Sequence, residues 1–319
     1  MKMGERFGTY LSFLNKYSAI IALAIIVIYG TLFVPHFMSI ANLKAILFQY
    51  SIIGFLALGQ LLVIITGGID LSQGSLVAFT SIVAAVLMAQ IGLVPAVAGA
   101  VLFCSLLGLF SGLLVSRTKI PAFIVTLGML GIGRGLAKFV ANAKPVPIAD
   151  EFFRSMGRAE LFGIPVCAIL WVIASMMLYQ FLKRRRLGRY IYAVGSSEES
   201  ARLAGINIKK VKLFVYTMSA FLTSIGALIW ASRLGSGSPI GGVGYELESI
   251  AAVIVGGASL YGGTGSVVGT MAGVMIFGVI NSILNLSGIS PFWQGAIKGI
   301  LILSAVALSQ IQMRRSRKA

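Results

Sequence analysis

The sequence predicts an all-α, polytopic membrane protein with about ten transmembrane helices. Of its 319 residues, 58% are hydrophobic and only 11% are charged, and the mean hydropathy is +0.95. These values lie far outside the usual composition of soluble globular domains. The chain also repeats apolar runs of about 20 residues, the length that crosses a bilayer as a helix. We therefore expect one transmembrane domain over residues 1–319, with a helical bundle over residues 17–311.

The apolar runs define ten candidate spans. In order, they are Tyr17–Val34, Leu43–Ile65, Gln73–Gln90, Leu93–Val115, Pro121–Val140, Pro165–Leu182, Leu213–Ala231, Leu247–Gly257, Val267–Leu286 and Pro291–Ile311. The eighth is too short to cross unaided, and the glycine-rich stretches TGGIDLSQGS and GGASLYGGTGS adjoin four of the spans. The first run is long enough to span and lacks a small-residue cleavage site, which favours an anchor helix over a signal peptide.

The distribution of positive charge orients the helices. Lys and Arg in short loops stay preferentially on the cytoplasmic side, and 18 of the 26 would lie on one side, half of these in residues 183–212. Both termini are then cytoplasmic, and residues 312–319 form a basic cytoplasmic tail. The net charge of +17 is mainly a topology signal and secondarily a contact with anionic membrane lipid, so no nucleic acid partner is expected.

The composition leaves little material for catalysis. The chain has one His and nine Asp plus Glu, and its two cysteines, Cys104 and Cys167, lie inside apolar runs. We expect no catalytic residue, no metal site and no cofactor, and the protein is not expected to be an enzyme. The sequence holds no G-x-x-x-x-G-K-[ST] phosphate loop, so any ATP chemistry would reside on a partner.

Residues 183–212 predict a loop with a short helix of its own. Ser197 is a suitable N-cap, Glu198 and Glu199 complement the helix dipole in the first turn, and Gly205 suits the C′ position. A helix of roughly two turns is too short to be stable alone in water. It therefore either packs against a partner or is a solvated tether between two spans, and both interpretations stay open at this point.

Three motifs resemble the membrane permeases of ATP-driven, ribose-type sugar importers. They are TGGIDLSQGS, GRYIYAVGSSEESARLAGINIKKVK and GYELESIAAVIVGGASLYGGTGSVVGT, and the similarity extends from about Leu43 to the last span. The resemblance implies that residues 183–212 are a cytoplasmic coupling loop whose helix, Ser197–Gly205, docks on the ATPase. The residues it assigns to coupling are Ser197, Glu198, Ala201, Leu203, Gly205 and Ile206, the last four as the docking face.

The resemblance also implies a function and partners. The chain would be the inner-membrane permease subunit of an importer for a ribose-like monosaccharide. Its partners would be an ABC ATPase subunit, a periplasmic or extracellular sugar-binding protein, and a second permease chain in a homodimer or heterodimer. Nucleoside or branched-chain amino acid permeases are alternatives within this class. An ion-driven secondary transporter is a further alternative, but few intramembrane carboxylates are available to carry protons.

The binding protein would dock on two outward loops, Asn142–Ile164 and Gly235–Glu248. Ordinary solvation explains their charged residues equally well. The candidate contacts are Asp150, Glu151, Arg154, Arg158, Glu246 and Glu248.

The TGGIDLS segment supplies one set of pathway candidates. Gly67 and Gly68 permit a sharp turn or a close helix approach. Asp70 either caps the following helix, with Gln73 three residues on as in a capping box, or contacts the solute. Non-helical backbone at membrane depth must be buried in protein or line a wet cavity, so the segment has either a packing or a pathway role.

A second set of pathway candidates lies near the C-terminus. Asn281 and Asn285 are four residues apart on one helical face and could line a path for a hydroxyl-rich solute or form inter-helix hydrogen bonds. Further polar candidates are Gln60, Trp293 and Gln294. Arg134 and Lys298 either have ionic partners or reach an interface.

Overall fold

The computed structural model describes residues 2–290, 292–300 and 303–304, with side chains from residue 18 onward. The helices are α1 (Lys2–Phe33), α2 (Ile40–Ile65), α3 (Gln73–Ile91), α4 (Leu93–Arg117), α5 (Ala122–Val140), α6 (Glu151–Met156), α7 (Val166–Arg184), α8 (Arg186–Ser196), α9 (Glu198–Leu203), α10 (Ile208–Leu234), α11 (Tyr245–Val255) and α12 (Val267–Leu286). Residues 292–300 are also helical. Four short strands lie in loops: β1 (Val146–Pro147), β2 (Glu160–Leu161), β3 (Ile164–Pro165) and β4 (Ser236–Gly237).

The fold is that of a polytopic, all-α membrane protein, as the sequence predicts. Within the described ranges, seven helices are long and apolar enough to cross a membrane: α2, α3, α4, α5, α7, α10 and α12. The apolar part of α1, Ser18–Phe33, is slightly shorter, and α11 has only 11 residues. The first nine predicted spans each fall on a helix. The tenth, Pro291–Ile311, is described only in part, and the predicted tail at 312–319 lies outside the described residues.

Helices α2 and α10 form the centre of the bundle. Every residue from Tyr50 to Ile65 is buried, and α10 packs across α2, α3 and α4. Close approach depends on glycine, because a Cβ at Gly59 would overlap the backbone of Ser219 on α10. The outer helices α4, α5 and α7 expose large apolar side chains, such as Phe110, Leu127 and Met177. Such surfaces suit contact with lipid or with another membrane helix.

Two strand pairs organise the loops at the end of α2 opposite to residues 183–212. Strand β1 pairs antiparallel with β4 and joins the two predicted outward loops, while β2 and β3 form a hairpin that leads into α7. The hairpin is tied to the start of α2 by an ion pair between Lys44 and Glu160, at 2.5 Å. Asp150 caps α6, because its carboxylate accepts a hydrogen bond from the Phe153 N–H at 2.7 Å.

The prediction that Glu246 and Glu248 lie in an outward loop is wrong, because both lie in the first turn of α11. Glu248 forms a 2.5 Å ion pair with Lys298, and a Cβ at Gly74 on α3 would overlap the Glu246 carboxylate. Both glutamates therefore face neighbouring helices. Of the six predicted contacts, Glu151, Arg154 and Arg158 are exposed and Asp150 is partly buried.

Candidate coupling junction and buried polar network

The short helix predicted in residues 183–212 is present as α9, and both of its predicted caps are confirmed. The Ser197 hydroxyl accepts a hydrogen bond from the Ser200 N–H at 3.1 Å. At the other end, Gly205 has φ +79°, and the N–H groups of Gly205 and Ile206 donate to the carbonyls of Arg202 and Ala201. This double closure of a helix end is the Schellman motif. Local sequence therefore determines where α9 begins and ends.

The predicted docking face of α9 requires a correction. Ala201 is only 3% exposed and belongs to the main hydrophobic core of this chain. It cannot contact a partner, because the face of α9 that carries it packs on α8 and α10. Leu203, in contrast, is 81% exposed, Gly205 is exposed and Ile206 is partly buried. The exposed apolar residue of this helix is therefore Leu203.

Three sequence motifs meet where α8 crosses the end of α2. Gly195 on α8 lies so close to the Ile65 carbonyl that a Cβ there would overlap it. The same carbonyl accepts a hydrogen bond from the Gly263 N–H at 2.9 Å, and the Tyr192 hydroxyl donates to the Gly265 carbonyl at 2.8 Å. Tyr192 and Gly195 thus join residues 183–212 to the end of α2 and to the glycine-rich loop 256–266. We name these contacts the coupling junction.

Glycine is required at positions 67 and 68 for two different structural reasons. Gly67 has φ +78°, and the N–H groups of Gly67 and Gly68 donate to the carbonyls of Ile64 and Val63, which closes α2 with a second Schellman motif. Gly68 lies against Tyr216, and a Cβ at Gly68 would overlap the Tyr216 hydroxyl. Both predicted reasons for glycine, a sharp turn and a close approach, are confirmed.

A cavity of about 360 Å³ lies beside this turn, on the face that carries residues 183–212. Gly67, Gly68, the turn between α4 and α5, and the first residues of α9 and α10 line it. Glu198 and Lys212 form a 2.5 Å ion pair in its wall. Because Glu198 is the first residue of α9, the cavity wall includes part of the helix that the sequence assigns to coupling.

Asp70 is buried in a polar network at membrane depth. The backbone between α2 and α3 is not helical, and Gln73, at the start of α3, donates from its side chain to the carbonyl of Leu56 at 2.9 Å. Leu56 lies about 14 Å along the axis of α2 from its end at Ile65. The non-helical segment therefore runs back into the bundle. Asp70 is only 2% exposed, so protein encloses it rather than lipid.

The prediction that Asp70 caps α3 is wrong. The N-cap residue of α3 is Ser72, and its side chain makes no capping bond. One Asp70 carboxylate oxygen accepts from the Ser72 N–H at 3.0 Å and from the Ser72 hydroxyl at 2.6 Å. The other accepts from the Ser219 hydroxyl on α10 at 2.8 Å. Asp70 therefore links the non-helical segment to α10 instead of capping α3.

Side-chain amides extend this network to α2 and α11. The Gln73 amide donates to the Ser219 hydroxyl at 3.1 Å and accepts from the Ser249 hydroxyl at 2.7 Å. The Gln60 amide, oriented by its partners, donates to the Asp70 carbonyl at 3.1 Å and accepts from the Asp70 N–H at 3.2 Å. The network thus fixes four helices relative to one another. It has a packing role, which was one of the two readings that the sequence left open.

Asn281 and Asn285 are not brought together with Gly67, Gly68 or Asp70. Asn281 is 6% exposed, and its carbonyl oxygen has no hydrogen-bond partner among the described residues. Asn285 is exposed and accepts from the Gln294 amide at 2.8 Å. The predicted inter-helix hydrogen bond is therefore present for Asn285. Trp293, a further candidate for the pathway, is 69% exposed.

The two basic residues Arg134 and Lys298 hold α11 and the segment that precedes it. The Arg134 guanidinium on α5 donates to the carbonyls of Pro239 and Gly241, at 3.1 and 2.7 Å. Lys298 pairs with Glu248, as described above. Arg134 therefore anchors non-helical backbone that leads into the short helix α11, an arrangement that sequence alone left open.

Sequence reasoning missed Tyr192, Gly195, Tyr216 and Ser219. Ser219 was detectable only as one of several hydroxyls in a mainly apolar helix, which is too common a feature to single out. Gly195 resembles many helical glycines, and nothing local distinguishes it from the others. Their importance comes from partners that are distant in sequence.

Comparisons with known proteins agree with the motifs. The profile of the family described as "Branched-chain amino acid transport system / permease component" matches residues 42–306. The chain is 40% identical to the ribose import permease protein RbsC of Escherichia coli (strain K12), over 95% of this chain and 96% of that protein. It is 38% identical to RbsC of Bacillus subtilis (strain 168), over 93% of each. It is 34% identical to the L-arabinose transport system permease protein AraH of Escherichia coli (strain K12), over 95% and 93%. No solved structure gives a significant match.

Proposed function

Because this chain belongs to the family of branched-chain amino acid transport system permease components, we propose that it is the membrane-spanning subunit of an ATP-driven importer of a ribose-like monosaccharide. Relatives named for ribose or arabinose are similar over more than nine-tenths of the chain. This coverage favours a monosaccharide over a nucleoside or a branched-chain amino acid. The chain itself is the translocation subunit, and a separate ABC ATPase hydrolyses ATP.

We propose ten passes, with both termini on the cytoplasmic side of the inner membrane. The ion pair of Lys44 with Glu160 and the contact of Gly195 with Ile65 mark opposite ends of α2, which supports opposite sides for the two loops. Two passes are discontinuous: residues 68–72 with α3, and residues 238–244 with α11. Non-helical backbone at membrane depth is tolerated only inside protein, and Asp70 in the first of these segments is buried.

The observation that carries the proposed mechanism is the coupling junction. Residues 183–212 pack on the end of α2 and on loop 256–266, while Leu203 on α9 remains exposed. An ATPase that docks on Leu203 and Gly205 can move α8 and α9, and the junction passes that movement to α2. A sugar-binding protein docks on the opposite face, where Glu151, Arg154 and Arg158 are exposed. A second permease chain completes the path, and lipid covers the other apolar faces.

Replacing Leu203 with Glu tests the docking step. A charged side chain would lose the burial of Leu203 at the interface, and fully burying a Leu side chain contributes about 1.5–3 kcal/mol, so association should weaken about tenfold or more. The variant should still insert normally, because Leu203 is exposed in this chain. Co-purification of the ATPase, scaled to permease abundance in the membrane, is the measurement.

The matched control is Leu161→Glu, which changes a half-exposed leucine (51%) on the opposite face. It should leave ATPase association unchanged. Equal ATPase recovery with wild type, Leu203→Glu and Leu161→Glu would mean that α9 is only a tether, and would contradict the proposed coupling contact.

A further inference from the structure

The cavity beside the turn after α2 has the size and the lining of a small-molecule site. Its volume of about 360 Å³ falls in the range of about 300–1,000 Å³ typical of ligand pockets. Its walls come from three places: the turn after α2, the turn between α4 and α5, and the starts of α9 and α10. The residues used below are Gly68, Thr118, Lys119, Glu198, Lys212 and Tyr216. Of these, the sequence had singled out Gly68 and Glu198.

Tyr216 is one of the residues that line this cavity, and its hydroxyl lacks a hydrogen-bonding partner among the described residues. Its side chain is 1% exposed. A buried hydroxyl without a partner is destabilising. Gly68 lies against the hydroxyl, and a Cβ at this position would overlap it. A ligand with hydroxyl groups would supply the partner, because a phenol both donates and accepts.

The charges in the wall favour a neutral ligand. Glu198 and Lys212 form a 2.5 Å ion pair, so their charges offset each other. The Lys212 ammonium offers donors and the Glu198 carboxylate offers acceptors, a combination that suits hydroxyl groups. A phosphate or another dense anion would face the Glu198 carboxylate. Lys119 is exposed and adds a second ammonium group to the lining.

We infer that this cavity is an exit site for the transported monosaccharide, held by the Tyr216 hydroxyl and the pair of Glu198 and Lys212 before release. This inference rests on the proposed function. Glu198 belongs to α9, so a movement of α9 away from α10 separates the ion pair and opens one wall of the cavity. Docking of the ATPase on α9 would then control release of the sugar. Weak binding suits such a role, because tight binding would prevent the sugar from leaving the site.

Protection of a cysteine at Thr118 tests the site without depending on transport. The complete importer, purified in detergent with Thr118→Cys, is labelled with a thiol reagent at increasing ribose concentration. Native Cys104 and Cys167 are buried, so the unmodified protein gives the background. We expect ribose to slow labelling severalfold at Thr118→Cys and to leave Arg117→Cys unaffected, since Arg117 is exposed at the end of α4 outside the cavity lining.

Adding Tyr216→Phe identifies the role of the hydroxyl. Loss of one hydrogen bond should raise the ribose concentration needed for protection about two- to tenfold. If Thr118→Cys fails to assemble, Ala122→Cys at the other end of the same turn replaces it. Labelling that ribose never slows, in an importer that still takes up ribose, would overturn the exit site and leave the proposed function intact. Failure of the complete importer to take up ribose, arabinose or allose would overturn the proposed function and this inference with it.

Discussion

Gly195 on α8 lies against the carbonyl of Ile65, the last residue of α2, with no room for a Cβ between them. The close approach lets residues 183–212 touch backbone that leads directly into the non-helical segment of Asp70. Side-chain flexibility cannot absorb a shift at such a contact, because it joins two backbone segments directly. A displacement of α8 is therefore transmitted to the end of α2.

Gly195→Ala should therefore destabilise the purified permease. The added methyl group must displace the Ile65 carbonyl or the Gly263 N–H, and overpacking of this kind costs about 1–3 kcal/mol. Thermal unfolding in detergent is the measurement, with Gly128→Ala on α5 as the control. A Cβ at Gly128 meets no described atom within 4 Å, so equal stability of the two variants would contradict the close contact.

Gly67 should tolerate Asn better than Val. Gly67 has φ +78°, where a left-handed backbone costs an L-residue about 1–2 kcal/mol and Asn is the usual exception. A Cβ at Gly67 approaches only the Tyr261 carbonyl, at 3.5 Å, so backbone strain separates the two variants. Gly67→Val should lower both uptake and the midpoint of thermal unfolding more than Gly67→Asn. The reverse order would exclude strain as the reason for this glycine.

Removing the Ser219 hydroxyl should lower the free energy of unfolding more than removing a hydroxyl elsewhere on α10. Ser219→Ala leaves one oxygen of the buried Asp70 carboxylate without its donor, a loss of about 1–3 kcal/mol. Ser224→Ala is the control, because that hydroxyl donates to the Phe221 carbonyl of its own helix and, among the described residues, to no other helix. In a double mutant with Asp70→Asn, the effects on unfolding free energy should be non-additive. Additive effects would mean that the two residues act independently.

Tyr192→Phe should weaken the coupling junction in a pH-dependent way. Burial raises the pKa of the Tyr192 phenol above its usual value of about 10, so the fold favours the neutral form that donates to Gly265. The hydrogen bond therefore contributes fully below about pH 10 and is lost as the pH rises through the raised pKa. At pH 7 the variant should be less stable by about 0.5–1.5 kcal/mol. The difference should shrink above about pH 10, and a difference that grows there would contradict the assignment.

The sequence predicted those features that depend on local pattern. Apolar runs located the nine helices on which the first nine predicted spans fall, and the caps of α9 at Ser197 and Gly205 follow from turn chemistry that neighbouring residues supply. Ala201 was misplaced because a six-residue helix of mixed polarity does not reveal which face packs on its own chain. Asp70 was misplaced because its second partner, Ser219, is 149 residues away. Tyr216 could not be found at all, since its importance depends on a cavity built from two turns and two helices that are distant in sequence.

The most direct test of the central claim is uptake of labelled ribose by proteoliposomes that hold the permease, its ATPase and its binding protein. We predict uptake that requires ATP on the side of residues 183–212 and the binding protein on the opposite side, that continues in the presence of ionophores, and that falls with Leu203→Glu. Leucine and a nucleoside should not compete with ribose. Uptake that proceeds without ATP and stops when an ion gradient is collapsed would contradict the account.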